Sequence, residues 1–167
     1  MITQERLKEL FHYEKRTGVF TRIKTVSSNA RAGDLAGYKG VDGRVILWVD
    51  RKMYKAHRLA WLYVYGEFPK GCIDHINHDN SDNRISNLRD VTQKENSKNA
   101  SMSKNNTSGH TGVYWEKLIS KWRAAIFSDG KRIHIGVFRH KKDAVAARKA
   151  AEIKYGFHPN HGAKNET

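Results

Sequence analysis

The first third of the chain has a hydrophobic pattern of short elements. Thr3 precedes a segment whose apolar residues recur at helical spacing up to Phe11, so we expect a short helix capped by Thr3. Residues 19–23 alternate apolar with polar side chains, which is typical of a strand. Residues 25–43 are rich in Ser, Asn and Gly and are expected to be irregular, with a short strand near 35–38.

The next part contains two extended segments followed by an apolar run. Residues 44–49 and 52–56 flank a two-residue turn, and this pattern predicts a hairpin. Residues 57–65 predict a helix that ends at Gly66. The aromatic residues at every second position of this run would also suit a strand, so both structures stay open.

A polar stretch in the middle of the chain predicts a strand–loop–strand–helix unit. Residues 73–75 form a brief extended segment, and residues 77–83 are almost all turn formers. A second short segment follows, with its apolar residues facing inward. Thr92 and Glu95 then make a capping box, which predicts a helix from there to about residue 100.

Four polar side chains of this unit are candidates for one site. Asp74 and His75 are neighbours on the extended segment, where successive side chains point to opposite sides. Asn87 follows the loop, and Asn96 points at the Asp74–His75 corner if the helix packs across the two short segments. A unit of under thirty residues would then gather a carboxylate, an imidazole and two carboxamides.

This pattern resembles the HNH endonuclease motif, the ββα-metal fold, with Asn in place of the last His. The similarity covers roughly residues 57–100 and includes the Asp-His pair with its spacings to Asn87 and Asn96. It implies that His75 is the general base and that Asn87 holds the imidazole in place. It also implies that Asp74 and Asn96 hold one Mg²⁺ or Mn²⁺, the hard cations that oxygen ligands suit.

Each of these residues alone has a simpler interpretation. An Asp-His pair in a polar loop is often an Asx turn beside a solvated imidazole. Asn87 would then close a turn, and Asn96 would be a tolerated residue on the helix surface. His78 and Asp79 are further candidate ligands. The hypothesis of a nuclease site therefore rests on all four groups occurring together.

The charge of the chain narrows the class of partner. Lys and Arg number 31 against 17 Asp and Glu, which gives a formal net charge of +14. An excess of this size predicts binding to a polyanion, and we expect double-stranded DNA. Cys72 is the only cysteine, which excludes a disulfide or a multi-cysteine zinc site within one chain.

The sequence also suggests a location. It has no apolar run long enough to span a bilayer, and its start does not resemble a signal peptide. We expect a soluble protein without a membrane partner, located in the cytoplasm, which is that of the host cell if the gene is phage-encoded.

Exposed basic residues of the predicted N-terminal sheet are candidates for DNA contacts. They are Arg22, Lys24, Arg51, Lys52 and Lys55. Their alternative role is simply to solvate one face of the sheet. In phage-type HNH homing endonucleases a comparable N-terminal β region precedes the catalytic unit, and the similarity includes the run Ala56-His57-Arg58-Leu59-Ala60-Trp61.

The C-terminal part predicts a separate small module. Residues 111–117, 121–127 and 131–138 have strand patterns, and a helix is expected over about 141–155 with alanines on one face. Three antiparallel strands on one helix resemble the ethylene-response-factor type DNA-binding domain. The residues that carry this resemblance are Gly112-Val113, Trp122 with Ala124 and Ile126, and the run from Arg132 to Phe138.

Strand alternation separates the two faces of this module. Trp122, Ala124, Ile126, Ile133 and Ile135 are expected to face the helix. The opposite face would present Arg123, Ala125, Phe127, Arg132 and His134. Its basic members, Arg123, Arg132 and His134, are candidates for contacts in the major groove, where Arg reads guanine. Base specificity does not carry over, because the family's other contact positions hold Tyr114, Glu116, Ala125 and Phe127 here.

Together these patterns predict a modular α+β protein. The expected divisions are an N-terminal DNA-binding β region (1–56), a ββα-metal unit (57–100), a linker (101–109) and an ethylene-response-factor type domain (110–158). The expected function is a site-specific, metal-dependent DNA endonuclease of the homing type, which acts as a monomer and nicks one strand. A DNA-binding regulator with a non-catalytic HNH unit is the main alternative, and a nucleic-acid packaging protein is the third.

Overall fold

The computed structural model describes residues 1–163, which form two compact units. The first unit is Met1–Gln93, and the second begins at Lys94. Each combines short antiparallel strands with helices, so the expected α+β class is confirmed.

The elements of the first unit are short. Their bounds are α1 Gln4–Leu10, β1 Phe11–Glu14, β2 Val19–Arg22, β3 Tyr38–Lys39, β4 Val45–Val49, β5 Lys52–Lys55, α2 Ala56–Tyr65, β6 Cys72–His75, a 3-10 turn Ile85–Asn87, and β7 Leu88–Val91. β1 pairs with β2, β4 lies between β3 and β5, and β6 pairs with β7. All of these pairs are antiparallel.

The first unit is built on a hydrophobic core. Leu7 of α1, Phe20 of β2, Leu47 of β4 and Leu59 of α2 are almost completely buried in it. Burial of each such side chain contributes about 1.5–3 kcal/mol to the free energy of unfolding. Because the four residues come from four elements, this packing joins the helices and hairpins into one body.

The apolar run of ambiguous pattern is a helix. α2 buries Leu59 and Leu62, whose spacing of three residues defines one helical face. Gly66 ends the helix in the left-handed region, with φ of 82°. Trp61 and Tyr65 fit the same helix, because residues four apart are neighbours and their ring centroids lie 4.4 Å apart.

The β4–β5 hairpin is present where the sequence places it. Asp50 and Arg51 have φ of 46° and 64°. Two consecutive residues in the left-handed region are what a two-residue hairpin turn matched to the strand twist requires.

Strand β1 was not expected. Phe11 and Tyr13 are buried, and their strand pairs with β2 through the partners Phe11–Arg22 and Tyr13–Phe20. Phe11 also falls at helical spacing from Leu7, so the sequence pattern assigned it to α1. The helix ends one residue earlier, at Leu10.

The helix that follows β7 is shorter than expected. α3 spans Gln93–Ser97, whereas the capping pattern predicted a helix to about residue 100. Asn99 is buried, its N–H donates to the carbonyl of Asn96, and the carbonyl of Lys98 accepts from the N–H of His158. Contacts with residues distant in the sequence replace the next helical turn, and no local pattern shows them.

The second unit contains the predicted sheet and helix. Their bounds are β8 Val113–Glu116, a 3-10 turn Lys117–Ile119, β9 Lys121–Ser128, β10 Lys131–Phe138 and α4 Lys141–Lys154. β9 lies between β8 and β10. Val113, Ala124 and Ala144 form the buried centre, where small side chains let α4 lie close to the sheet. That this unit is of the ethylene-response-factor type stays a prediction.

The two faces of this sheet agree with the alternation except at one position. Phe127 is 65% exposed, as expected for the open face. Ala125 was assigned to the same face but is buried, with 6% exposure. The side chains of Phe157 and His161, from the segment after α4, line the same depression as Ala125.

The segment expected to be a linker is irregular but makes contacts within the second unit. Met102 N–H donates to the Ala163 carbonyl, and the Ala100 carbonyl accepts from Gly162 N–H. Ser108 is buried. These bonds tie the segment to the C-terminal residues, and the four-part division of the chain stays a prediction.

The helices are also short compared with a bilayer. Within residues 1–163, none is both long enough and apolar enough to cross a membrane.

The core of the first unit can be tested by truncating Leu59. Leu59→Ala removes a side chain with 0% exposure, so we expect the free energy of unfolding to fall by about 2–5 kcal/mol. Leu35→Ala is the matched control, because Leu35 is 73% exposed and should change it by no more than about 0.5 kcal/mol. Urea unfolding measures both; equal effects would contradict this core assignment.

Candidate active site

The β6–β7 hairpin positions Asp74 by a cross-strand ion pair. Asp74 lies directly opposite Arg89 in the strand register and is 8% exposed. Its Oδ2 accepts hydrogen bonds from Nε and Nη2 of Arg89, at 2.8 and 2.6 Å. A buried carboxylate requires such a partner, so Arg89 both neutralises and orients Asp74.

Asn87 holds the loop that leaves β6. Its Oδ1 accepts from the N–H of Asn77 at 3.0 Å, and its Nδ2 donates to Asn77 Oδ1 at 2.9 Å and to the Asp82 carbonyl at 3.0 Å. The N–H of Ile76 donates to the backbone carbonyl of Asn87. Asn87 therefore fixes the backbone next to His75. A direct hydrogen bond from Asn87 to the imidazole stays a prediction.

His75 lies in a setting that favours its neutral form. It is 5% exposed, and burial lowers the pKa of its imidazole. A hydrogen bond with Asn83 acts in the opposite direction and raises this pKa, but burial is the larger effect. The neutral imidazole is the form that can accept a proton from water.

His57 packs against His75 and was not identified from the sequence. The ring centroids lie 5.1 Å apart, and the rings are nearly perpendicular at 88°. His57 is 5% exposed. Burial is the main cause that lowers the pKa of His57 to about 3, and His75 acts in the same direction. Two neutral imidazole rings therefore pack against each other.

The alternative ligands His78 and Asp79 take part in the turn itself. His78 has φ of 66°, and its N–H donates to the carbonyl of His75. Asp79 Oδ1 accepts from the N–H of Ser81 at 2.8 Å and from its hydroxyl at 2.6 Å. These hydrogen bonds lower the pKa of Asp79 and give its carboxylate a structural role.

The expected metal ligands come from both units. Asp74 belongs to the first unit, and Asn96 lies on α3 in the second. Their joint binding of a cation stays a prediction. The donor set itself, one carboxylate and one carboxamide oxygen, suits Mg²⁺ or Mn²⁺. Among residues 1–163 no three His, Cys, Asp or Glu side chains form a cluster that could hold a metal.

Three of the five expected DNA contacts of the first unit share one depression. Arg22, Lys24 and Arg51 line it together with Phe11 and Trp48. Trp48 is 53% exposed, and the Arg22 guanidinium lies 5.6 Å from the centroid of the Phe11 ring. Lys52 and Lys55 are exposed on β5.

The three expected DNA-contact residues of the second unit differ in how strongly other side chains hold them. Arg132 donates to the hydroxyl of Tyr114 at 2.7 Å and lies 5.2 Å from its ring centroid. Arg123 is held by Glu116 at 3.4 Å, and His134 is exposed. The ion pair leaves Arg123 less available to a phosphate than Arg132.

Sequence reasoning missed Arg89, His57 and Asn83. Arg89 could have been found by counting register across the predicted hairpin, because Asp74 needs a cross-strand cation. His57 lies in the run from Ala56 to Trp61 that marks the resemblance, but nothing local showed that its ring would reach His75. Asn83 is separated from His75 by an irregular loop.

Comparison with known proteins gives three findings. Residues 54–98 match a family model described as HNH endonuclease. Protein 3.8 of Escherichia phage T7 is 38% identical over 86 residues, which cover 49% of this chain and 71% of that protein. A solved structure of the HNH homing endonuclease I-HmuI is similar at 24% identity and a TM-score of 0.40. That similarity covers 54% of this chain and 51% of the other, so the chain spans about half of its length.

The buried ion pair can be tested by a double-mutant cycle. We expect Arg89→Gln and Asp74→Asn each to lower the free energy of unfolding by about 1–3 kcal/mol, because each removes the ion pair between the two side chains. This is below the cost for a fully buried pair, since the Arg89 side chain is 31% exposed. Urea unfolding of both single variants and the double variant gives the coupling energy.

The exposed pair Arg6–Asp50 is the control for this cycle. Its side chains are 44% and 51% exposed, so solvent screening should make its coupling weaker than that of the Asp74–Arg89 pair. A coupling between Asp74 and Arg89 no larger than that of the control would contradict their role in holding the hairpin.

Burial of His57 predicts a pH dependence of stability. The pKa of His57 falls from an ordinary ~6.5 to about 3 on folding, so the unfolded chain binds the proton more readily. The contribution of His57 to the free energy of unfolding is complete above pH 6.5 and is lost as the pH falls toward 3. The free energy of unfolding should therefore change by at most about 1.4 kcal/mol per pH unit, the limit for one proton.

Denaturant unfolding between pH 6.5 and 4 measures this slope. His57→Gln should reduce this slope, and His12→Gln, which changes an exposed residue of β1, is the matched control. An unchanged slope in His57→Gln would show that His57 does not lose its proton on folding.

Proposed function

The chain belongs to the HNH endonuclease family, and on this premise we propose that it is a divalent-metal-dependent DNA endonuclease that hydrolyses one phosphodiester. The buried, neutral His75 next to the Asp74 carboxylate is the observation that carries the proposal. A base and a hard oxygen ligand on adjacent residues of one strand are what metal-assisted hydrolysis requires.

His75 acts as the general base. Burial lowers the pKa of its imidazole, so it is unprotonated at neutral pH and accepts a proton from the attacking water. Asn87 holds the loop after His75 through Asn77 and Asp82, which fixes where the imidazole lies. His57 closes one side of the ring and limits its rotation.

Asp74 and Asn96 are the proposed metal ligands. Their hard oxygens suit Mg²⁺ or Mn²⁺, which would polarise the scissile phosphate and stabilise the leaving oxygen. Arg89 keeps the Asp74 carboxylate in one orientation through the bonds to Oδ2. Partners of this kind tune metal sites by orienting the ligand.

The basic surfaces of the two units bind the DNA in this proposal. We assign Arg22, Lys24 and Arg51, which line one depression, to phosphate contacts, with Lys52 and Lys55 on the neighbouring strand β5. Arg132, His134 and Arg123 would add contacts from the second unit. Two basic surfaces on one chain suit recognition of an extended site, which is the requirement for a site-specific enzyme of the homing type. One catalytic unit per chain suits a monomer that nicks one strand, in the cytoplasm of the cell that holds the DNA.

A DNA-binding regulator with a structural HNH unit is the second candidate. The Arg89–Asp74 pair favours it, because a guanidinium already neutralises the carboxylate that a metal would need. The two functions differ in one observable, which is metal-dependent cleavage.

Nicking of supercoiled plasmid carrying a cognate site, with Mg²⁺ or Mn²⁺, tests the proposal. We expect cleavage to stop with a chelator and to fall by about 10²–10⁴-fold in His75→Ala, the typical contribution of a general base. His12→Ala is the matched control, because His12 is exposed on β1 and should cleave normally.

DNA binding by each variant should be measured at the same salt concentration. If His75→Ala and Asp74→Ala bind and cleave as well as the parent, the assigned roles are wrong. If the parent binds the site but never cleaves it, the regulator is the better description.

A further inference from the structure

A cavity of about 310 Å³ in the second unit has no role in the proposed chemistry. It lies between residues of the sheet, of α4 and of the segment after α4, and we name it the Arg148 cavity. The lining residues that matter here are Thr111, Tyr114, Phe127, Arg132, Arg148 and Phe157. Its volume is at the lower end of the range of ~300–1,000 Å³ for small-ligand sites.

Two polar groups of the cavity wall lack hydrogen-bond partners among the described residues. Arg148 is only 3% exposed, yet its Nε has no acceptor, and the buried hydroxyl oxygen of Thr111 is also unsatisfied. Buried polar groups are nearly always paired, so such an exception needs a ligand or an ordered water. Gly112 brings the backbone close to this guanidinium, since a Cβ there would lie 2.4 Å from Nε.

The rest of the wall is aromatic and cationic. Phe127 is 65% exposed, and Tyr114 lies under the Arg132 guanidinium at 5.2 Å. Phe157 has Arg148 at 5.3 Å from its ring centroid. A planar group can therefore stack on a ring while a negative group lies beside a guanidinium.

The charges near the cavity sum to a positive value. Glu152 does not line the cavity, and its carboxylate is paired with Arg148 at 3.2 Å and with Lys149 at 2.9 Å. Arg132 carries a further positive charge at the other side. The wall thus suits an anion with a flat ring, and it suits neither a free cation nor a purely apolar ligand.

We infer that the Arg148 cavity binds one unstacked nucleotide of single-stranded DNA. The base would stack on the exposed ring of Phe127, and its phosphate would lie toward Arg132. A base within a duplex presents only its edge, whereas an unstacked base offers its whole face to a ring. The inference rests on the proposed function only in taking DNA as the partner.

Fluorescence anisotropy of a labelled eight-nucleotide single strand, with the full chain and a chelator present, tests this inference. Phe127→Ala and Arg132→Gln should each weaken binding about tenfold, the scale of one stacked base. Val137→Ala and Lys131→Gln are the matched controls. Both residues are exposed on β10 and neither lines the cavity, so they should bind like the parent.

Strands with one abasic position locate the contact. An abasic site at the bound position should weaken binding by the parent about tenfold but should not weaken binding by Phe127→Ala any further, because the stacking partner is already gone.

Three results would overturn the inference. Phe127→Ala could bind the single strand like the parent, or it could weaken single-stranded and duplex DNA equally, as a duplex-binding face would. Inorganic phosphate alone could displace the strand at the same concentration as a mononucleotide, which would indicate a simple anion site. If the parent protein binds the oligonucleotide but does not nick the plasmid, the proposed catalysis is contradicted and this inference remains intact.

Discussion

The removal of Asp74 and His75 from water is the constraint on which the candidate site depends. A carboxylate buried to 8% exposure must have a cation beside it, and Arg89 supplies one from the opposite strand. An imidazole buried to 5% exposure has a lowered pKa and stays neutral. Burial therefore favours the neutral form of His75, while the Arg89 guanidinium compensates for burying the Asp74 carboxylate.

The loop between β6 and β7 holds the backbone next to His75 in place. Asn87, Asn77 and Asp82 are joined by side-chain and backbone hydrogen bonds, so the chain that leaves His75 is held at several points. His57 then covers the imidazole from α2. Hydrogen bonding therefore fixes the backbone next to His75, and packing against His57 limits the movement of its ring.

Local rules predicted most of the elements. The capping residue of α1, the β4–β5 turn, the three C-terminal strands and α4 follow from spacing and turn chemistry alone. β1 was missed because Phe11 satisfies the helical period as well as the strand period. α3 was predicted to be longer than it is because the contact of the Lys98 carbonyl with His158 is not visible in a local pattern.

The sequence predicted several candidate residues but not their contacts, and the roles of these residues stay predictions. Asp74, His75 and Asn87 were found by residue type and spacing, and the structure places all three in or beside one hairpin. Their partners Arg89, Asn83 and His57 come from separate segments, so only the tertiary fold brings them together. Register would have revealed Arg89, whereas the contact of His57 depends on how α2 packs.

The protonation state of His75 tests the central claim most directly. Long-range ¹H–¹⁵N correlation spectra of the histidine side chains, recorded on the metal-free protein at pH 6.5, distinguish the neutral ring from the charged one. Neutral nitrogen shifts for His75 at that pH are the predicted result, because burial lowers the pKa of its imidazole from the ordinary value of ~6.5. An imidazolium pattern at pH 6.5 would contradict the account, because a protonated His75 cannot take a proton from water.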